Sequence, residues 1–159
     1  MASRDQHRGQ HGSHKTLNEH WPNYLGNGYF DSAGNLRPEF VEREIIQDLA
    51  KRMADDWPRD GKPTHQIRRF FQHCRAIEAK LRAKTSTWAA EEATFRQLDV
   101  AAADAFGKRP PKIPELFHDF IKSNVAAVKN EKDFLKGFLP HFEALVGFGS
   151  QFFKERERN

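Results

Sequence analysis

Residues 63–84 read PTHQIRRFFQHCRAIEAKLRAK, and this stretch decides the fold. Its apolar residues recur at steps of three and four, which is the period of an α-helix and not that of a strand. On a helix they fall within an arc of roughly 120°, so one face is buried and the other meets solvent. Pro63 cannot continue a helix backwards, and Thr64 can cap its start. The apolar residues are Ile67, Phe70, Phe71, Cys74, Ile77 and Leu81.

The other face of this predicted helix is basic. Arg68, Arg75 and Arg82 are spaced by seven residues and form one line along the helix. Residues 59–84 carry a net charge of +6, whereas the whole chain carries +4. The basic charge is therefore concentrated on this helix and the residues leading into it. A second line on the opposite flank consists of Arg69, His73, Lys80 and Lys84.

Three interpretations fit the basic face: a nucleic-acid backbone, an acidic protein partner, or an ordinary solvated surface. Surface helices normally mix charges of both signs, and the planar fork of arginine matches phosphate. Both points favour nucleic acid. Glu78 is an exception to the pattern, because it falls inside the apolar arc. It should need a cationic partner, such as an arginine from another helix or from a neighbouring chain.

The composition predicts a single cytoplasmic domain. The chain has 159 residues, and its 14 phenylalanines can build a core. No run approaches the ~18 apolar residues of a membrane span, and the first residues lack the apolar stretch of a secretory signal. Cys74 is the single cysteine, which excludes an internal disulfide and fits a reducing compartment. We expect no membrane partner.

The chain divides into three predicted segments. Residues 1–28 are polar, rich in glycine, histidine and asparagine, and without periodicity, so they are predicted to be a flexible tail. Residues 29–150 form the helical domain, and residues 151–159 are expected to fray. Phe152 and Phe153 should either fold back on the core or dock on a neighbour. The histidines near the start do not have the spacing or the accompanying acids of a metal site, so no metal or cofactor is expected. These histidines are His7, His11, His14 and His20.

Helical periodicity continues through the rest of the chain. Pro140 lies inside the last helical pattern and should kink it near Lys136. No segment reads as a convincing strand. The predicted fold class is therefore all-α, a compact bundle of about five helices with a flexible N-terminal tail. The four helices besides 63–84 are predicted at about 38–54, 86–105, 114–128 and from 130 onwards.

The sequence lacks the motifs of common catalytic and cofactor sites. It contains no GxxxxGK[ST], HExxH or CxxC, and no serine sits in a nucleophile elbow. His73 lies among arginines, so a small RNA-cleaving enzyme that uses this histidine is one functional class to consider. Such a histidine more often adds a hydrogen-bond donor to a phosphate-facing surface. We therefore expect a protein without enzymatic activity.

Three segments resemble the small subunit of the type III-A CRISPR effector, the Csm complex. They read YFDSAGNLRPEFV at residues 29–41, THQIRRFF at residues 64–71 and FLPHFEALVGF at residues 138–148. The T-x-Q-I-R-[RK]-F-[FY] element is the most specific of them. The resemblance covers most of the chain, from about residue 29 to residue 148, and the N-terminal tail departs from the family pattern.

This resemblance implies a non-catalytic, all-helical protein that serves in antiviral defence. Several copies would stack as a filament beside the larger subunits of the complex. Their basic faces would line the channel that holds the guide RNA and the target RNA, while a neighbouring subunit cuts the target. The implied partners are these two RNAs, the other Csm subunits and further copies of the chain.

The residue pattern and the resemblance together predict sequence-independent contact with the RNA backbone. Two other classes stay open: a helical adaptor whose basic face binds an acidic protein, and the RNA-cleaving enzyme described above. The adaptor would have a hydrophobic centre with charges at the rim. The candidate RNA-binding residues are Arg68, Arg69, Arg75, Lys80, Arg82, Lys122 and Lys129.

Overall fold

Six α-helices build the fold in the computed structural model, which describes residues 16–157 and their side chains up to residue 154. Five of the helices are long and pack together, which confirms the predicted all-α bundle of about five helices. In this part of the chain β pairing is limited to an isolated bridge between Phe30 and Leu36. The helices are α1 Leu17–His20, α2 Arg43–Asp56, α3 Pro63–Arg82, α4 Trp88–Gly107, α5 Glu115–Ala127 and α6 Leu139–Glu157.

The apolar face of α3 is buried as the sequence predicts, although Phe71 is only half-buried. The start of the helix differs from the prediction. Lys62 is the capping residue, with a left-handed φ of 49°, and Pro63 is the first helical residue. Proline suits that position because its missing N–H would have no partner there. Thr64 is therefore already inside the helix and does not cap it.

The long helix α6 lies at the centre of the bundle. It packs against α2 and against α3, while α4 packs against α5 and α3. Phenylalanine rings fill the space between the helices, with Phe117 5.4 Å from Phe70 and Phe120 5.5 Å from Phe142 between ring centroids. These rings join α3, α5 and α6 in one aromatic core.

The C-terminal part of α6 folds back on the core. Phe153 is buried, and its ring meets that of Trp57 edge-on at 5.9 Å. Phe152 is partly buried. The helix continues to Glu157, so the predicted boundary of the helical domain at residue 150 falls inside this helix. Burial of one large aromatic side chain is worth about 1.5–3 kcal/mol, which helps to offset the entropy of ordering this last turn.

A short π-helix, Asp133–Phe138, precedes α6 at the place where the sequence predicts a kink. Pro140 has no N–H to donate to the carbonyl of residue 136, and a wider turn accommodates the missing bond. Asn130 caps the helical residues 131–132 that lead into the π-helix, because its side-chain oxygen accepts a hydrogen bond of 2.9 Å from the backbone of Asp133. Gly137 lets the Tyr29 ring pack directly on this turn, since a Cβ atom there would lie 2.6 Å from the ring.

The segment before α2 is part of the bundle. We call residues 16–41 the strap. Leu17 and Tyr24 are buried within it, so the prediction of a tail is wrong for residues 16–28. These residues are ordered by the aromatic cluster that they join, where the Trp21 ring stacks on Phe40 at 5.6 Å. The strap ends in a 3₁₀ turn, Pro38–Phe40, and α2 begins only at Arg43.

The remainder of the predicted tail, residues 1–15, lies outside the described residues. Three of the four N-terminal histidines are in that part, so the structure does not bear on them. Within the described residues, no group of three or more potential ligands is placed to hold a metal ion.

A buried polar network holds the strap on the bundle. The Nδ1 atom of His141 lies 2.7 Å from the carbonyl oxygen of Phe40, and its Nε2 atom lies 2.7 Å from the Tyr24 hydroxyl oxygen. The carbonyl can only accept, so Nδ1 carries the proton and Nε2 accepts from Tyr24. The side-chain amide of Asn124 donates to the Tyr24 oxygen at 2.7 Å, and its oxygen accepts from Tyr29 at 2.8 Å. The network therefore joins the strap to both α5 and α6.

The histidine of this network is neutral. Burial lowers the pKa of His141 to about 4, and the hydrogen bond to the Phe40 carbonyl opposes this shift only in part. Burial also raises the pKa of the Tyr24 hydroxyl well above its ordinary value. Both groups are therefore uncharged at neutral pH, and each finds its hydrogen-bond partners inside the protein.

Candidate nucleic-acid interface

An open groove of about 860 Å³ runs between α3 and the C-terminal half of α6. Arg68 and Arg75 line it from α3, and Lys154 lines it from α6. Its floor is apolar and includes Phe71 and Val146. The groove therefore combines cationic walls with a hydrophobic base. This is the place where the first basic line of α3 meets another element.

Arg68 is the less constrained of the two arginines that line this groove. It is exposed, and it forms no ion pair with any other described residue. Arg75 is held more firmly, because its guanidinium lies 3.1 Å from a carboxylate oxygen of Glu78 and 3.9 Å from one of Glu143. It also lies over the Phe71 ring at 5.8 Å. Arg68 is thus the more available group for an anionic ligand.

Glu78 finds its cationic partners on its own helix. Its other carboxylate oxygen accepts a hydrogen bond of 2.7 Å from Arg82, so it bridges Arg75 and Arg82. The expectation that Glu78 pairs with an arginine of another helix or chain is therefore wrong. Spacings of three and four residues bring these side chains to the same face of the helix. The cluster of two arginines and one glutamate keeps a net charge of +1.

Two residues of the second basic line, His73 and Lys80, face α4, and no residue of this line belongs to the groove lining. His73 lies 2.7 Å from the carbonyl oxygen of Thr94, and the Lys80 ammonium is 3.8 Å from Glu91. Arg69 donates to the side chain of Gln66 at 2.9 Å. His73 and Lys80 therefore support the contact between α3 and α4, whereas Arg69 is bonded within α3. The exposed residues between the two lines are Gln72, Ala76 and Ala79.

The same contact limits what His73 can do chemically. Because the Thr94 carbonyl only accepts, the Nε2 atom of His73 carries a proton and donates it to that bond. This nitrogen is therefore not available as a general base. The RNA-cleaving hypothesis would have to rely on the other ring nitrogen.

The two lysines predicted on the fourth helix are not part of the groove. Lys122 and Lys129 are exposed on and just after α5, which packs against α4 and α2. The structure thus distributes the seven predicted RNA-binding residues over separate surfaces. Arg68 and Arg75 share the groove. Arg82 lies two turns beyond Arg75 and is joined to it through Glu78. The other four predicted residues, Arg69, Lys80, Lys122 and Lys129, do not line the groove.

Lys154 and His65 line the groove, but they were not among the predicted binding residues. His65 lies on α3 near its start. The sequence does not indicate a role for Lys154, because this residue lies in the segment 151–159 that is predicted to fray. Its role depends on α6 extending alongside α3, which periodicity within one helix does not reveal.

Comparison with known proteins connects the chain to one family. A family model described as Csm2 Type III-A matches residues 42–155. No curated protein and no solved structure matches the chain. Among the described residues, every helix is too short or too polar to cross a membrane.

Proposed function

The chain belongs to the Csm2 Type III-A family and is thus a subunit of the type III-A CRISPR Csm complex, and we propose that its groove between α3 and α6 holds the backbone of the guide–target RNA duplex. This is a structural family, which fits a role without catalysis. In this proposal the protein acts in the cytoplasm and contributes to antiviral defence by retaining RNA.

The observation that carries the proposal is the placement of Arg68 and Arg75 on one wall of an open groove. Seven residues of helix rise by about 10 Å, so the two guanidinium groups can reach separate phosphates of one strand. Guanidinium groups bind phosphate oxygens through paired, charge-assisted hydrogen bonds. Such contacts position a nucleic acid without reading its sequence. Base pairing with the guide would then supply the specificity.

Stacking of several copies is the second part of the proposal. A smaller groove of about 430 Å³ on the α2 flank is lined by Glu44 and Asp48 next to Trp21 and Ile45. Glu44 is exposed on this flank, whereas Asp48 is paired with Arg52 at 2.9 Å, so the negative charge available on the α2 flank comes from Glu44. Different surfaces that meet head to tail produce an open filament when the rotation between copies does not close and a ring when it does, whereas a self-complementary surface produces a closed dimer.

One observation favours the adaptor as a second candidate. The floor of the α3–α6 groove is apolar, with Phe71 and Val146 beneath the cations. A hydrophobic centre with a charged rim is typical of protein interfaces. An acidic helix of a partner protein would satisfy this arrangement without RNA.

Photo-crosslinking of the assembled complex distinguishes the two candidates. The complex would be purified from cells through a tag on this chain, irradiated, and digested for mass spectrometry. The proposal expects RNA crosslinks on peptides from residues 63–82. Crosslinks of RNA confined to other subunits would overturn it. Protein crosslinks from an acidic partner to the same peptides would support the adaptor.

Removing the charge of Glu78 should strengthen RNA binding. In Glu78→Gln, the side chain still accepts hydrogen bonds, but Arg75 and Arg82 are no longer neutralised. A unit charge roughly 7 Å from a phosphate contributes about 0.6 kcal/mol in water, which corresponds to a roughly three-fold gain in affinity. Fluorescence anisotropy with a labelled RNA duplex at low salt measures this change.

The matched control for that variant is Glu131→Gln, which removes the same charge at an exposed residue that does not line the groove. It should leave affinity unchanged. Equal affinities of Glu78→Gln and the wild-type chain would show that RNA does not approach this cluster.

A further inference from the structure

Gln72 occupies a distinctive position on the groove wall. It lies between Arg68 and Arg75 along α3 and lines the same groove. It is exposed, and its amide forms no hydrogen bond with another described residue. Gln66, by contrast, accepts a hydrogen bond from Arg69. The amide of Gln72 is therefore available to a ligand that the two arginines hold.

The repeat of a nucleic-acid strand indicates what such an amide would meet. Phosphates and sugars alternate along the strand, so a side chain between two phosphate-binding residues faces a ribose. Gln72 is about 6 Å along the helix from Arg68 and about 4.5 Å from Arg75. Its amide offers both a donor and an acceptor. The ribose 2′-hydroxyl has the same two capacities, and it is the group that distinguishes RNA from DNA.

We propose that Gln72 hydrogen-bonds a ribose 2′-hydroxyl and thereby makes the groove favour RNA over DNA. The inference rests on the proposed binding of RNA at this groove. The arginines contact phosphates, which RNA and DNA share, so they supply affinity without this discrimination. Gln72 adds affinity for RNA alone, because DNA lacks the hydroxyl, and it therefore acts on the choice of nucleic acid.

Two duplexes of identical sequence test the inference on the full chain. One is RNA, and the other carries 2′-fluoro riboses, which keep the A-form helix but lack the hydroxyl. The wild-type chain should bind the RNA duplex about three- to ten-fold more tightly than the fluoro duplex, the range expected for one net hydrogen bond. Gln72→Ala should lose this preference by weakening RNA binding alone. Gln97→Ala, at an exposed glutamine of α4, is the control and should keep the wild-type ratio.

The outcomes separate this inference from the function on which it rests. If Arg68→Ala weakens both duplexes and Gln72→Ala leaves their ratio unchanged, the ribose contact is wrong while the groove still binds RNA. A wild-type chain without preference for the RNA duplex would also overturn the inference. If Arg68→Ala affects neither duplex, the groove is not the binding site and both proposals fail.

Discussion

The free energy of unfolding is expected to decrease by about 3 kcal/mol through His141 alone as the pH falls from 6.5 to 4. The pKa of His141 is about 4 in the folded chain and 6.5 in an exposed histidine. Above pH 6.5 both the folded and the unfolded states are neutral at this residue. Below it the unfolded chain takes up a proton that the folded chain does not, so stability falls with pH. Below pH 4 both states are protonated and the effect is complete.

Urea denaturation between pH 7 and pH 4 measures this change against the variant His141→Gln. Carboxylates also titrate in the lower part of this range, so the difference between the two proteins is the informative quantity. The variant has no group to protonate at this position, so its free energy of unfolding should decrease less as the pH falls. His65→Gln, at an exposed position outside the network, is the control and should keep the wild-type slope. Parallel curves for wild type and His141→Gln would mean that the histidine is not held neutral.

Loss of the two groove arginines should produce the largest effect on RNA. In Arg68→Ala/Arg75→Ala, two charge-assisted contacts of about 1.5 kcal/mol each disappear, which predicts roughly 150-fold weaker binding of an RNA duplex. The slope of log affinity against log salt should become shallower by about two, since each contact releases roughly one counterion. Arg68→Ala should weaken RNA binding more than Arg75→Ala does, because Arg75 is already paired with Glu78.

Titrations of the RNA duplex at several salt concentrations provide the measurement, both with the full chain and with the assembled complex. Lys51→Ala/Arg52→Ala is the control, because it removes two exposed cations from α2. It should leave the salt slope nearly unchanged. If both double variants weaken binding equally, overall charge and not the groove is responsible. If neither does, the RNA lies elsewhere.

Periodicity within single helices was sufficient to predict most of the fold. The apolar arc of α3 was identified because Ile67, Phe70 and Cys74 repeat at helical steps and are buried as that repeat requires. The kink before α6 followed from Pro140, which lacks the donor that an α-helix needs. These features depend on local chemistry, so a sequence reveals them directly.

Features that depend on contacts between distant segments were not predicted. Tyr24 is buried because it reaches His141, which is 117 residues away in the chain, and its own neighbourhood reads as polar. Lys154 joins the groove only because α6 extends beside α3. Lys122 and Lys129 are seven residues apart, which is the spacing of the α3 arginines, but Lys122 lies on α5. Equal spacing on two helices therefore says nothing about whether they face the same ligand.

The strap makes the folding unit larger than the region of family similarity. The family match begins at residue 42, yet Tyr24 and Phe40, which precede it, supply both hydrogen-bond partners of the buried His141. A shortened chain that starts at the match would leave that ring without partners and open the aromatic cluster around it to water. Boundaries chosen for expression or for grafting this subunit into another assembly should therefore begin no later than residue 16.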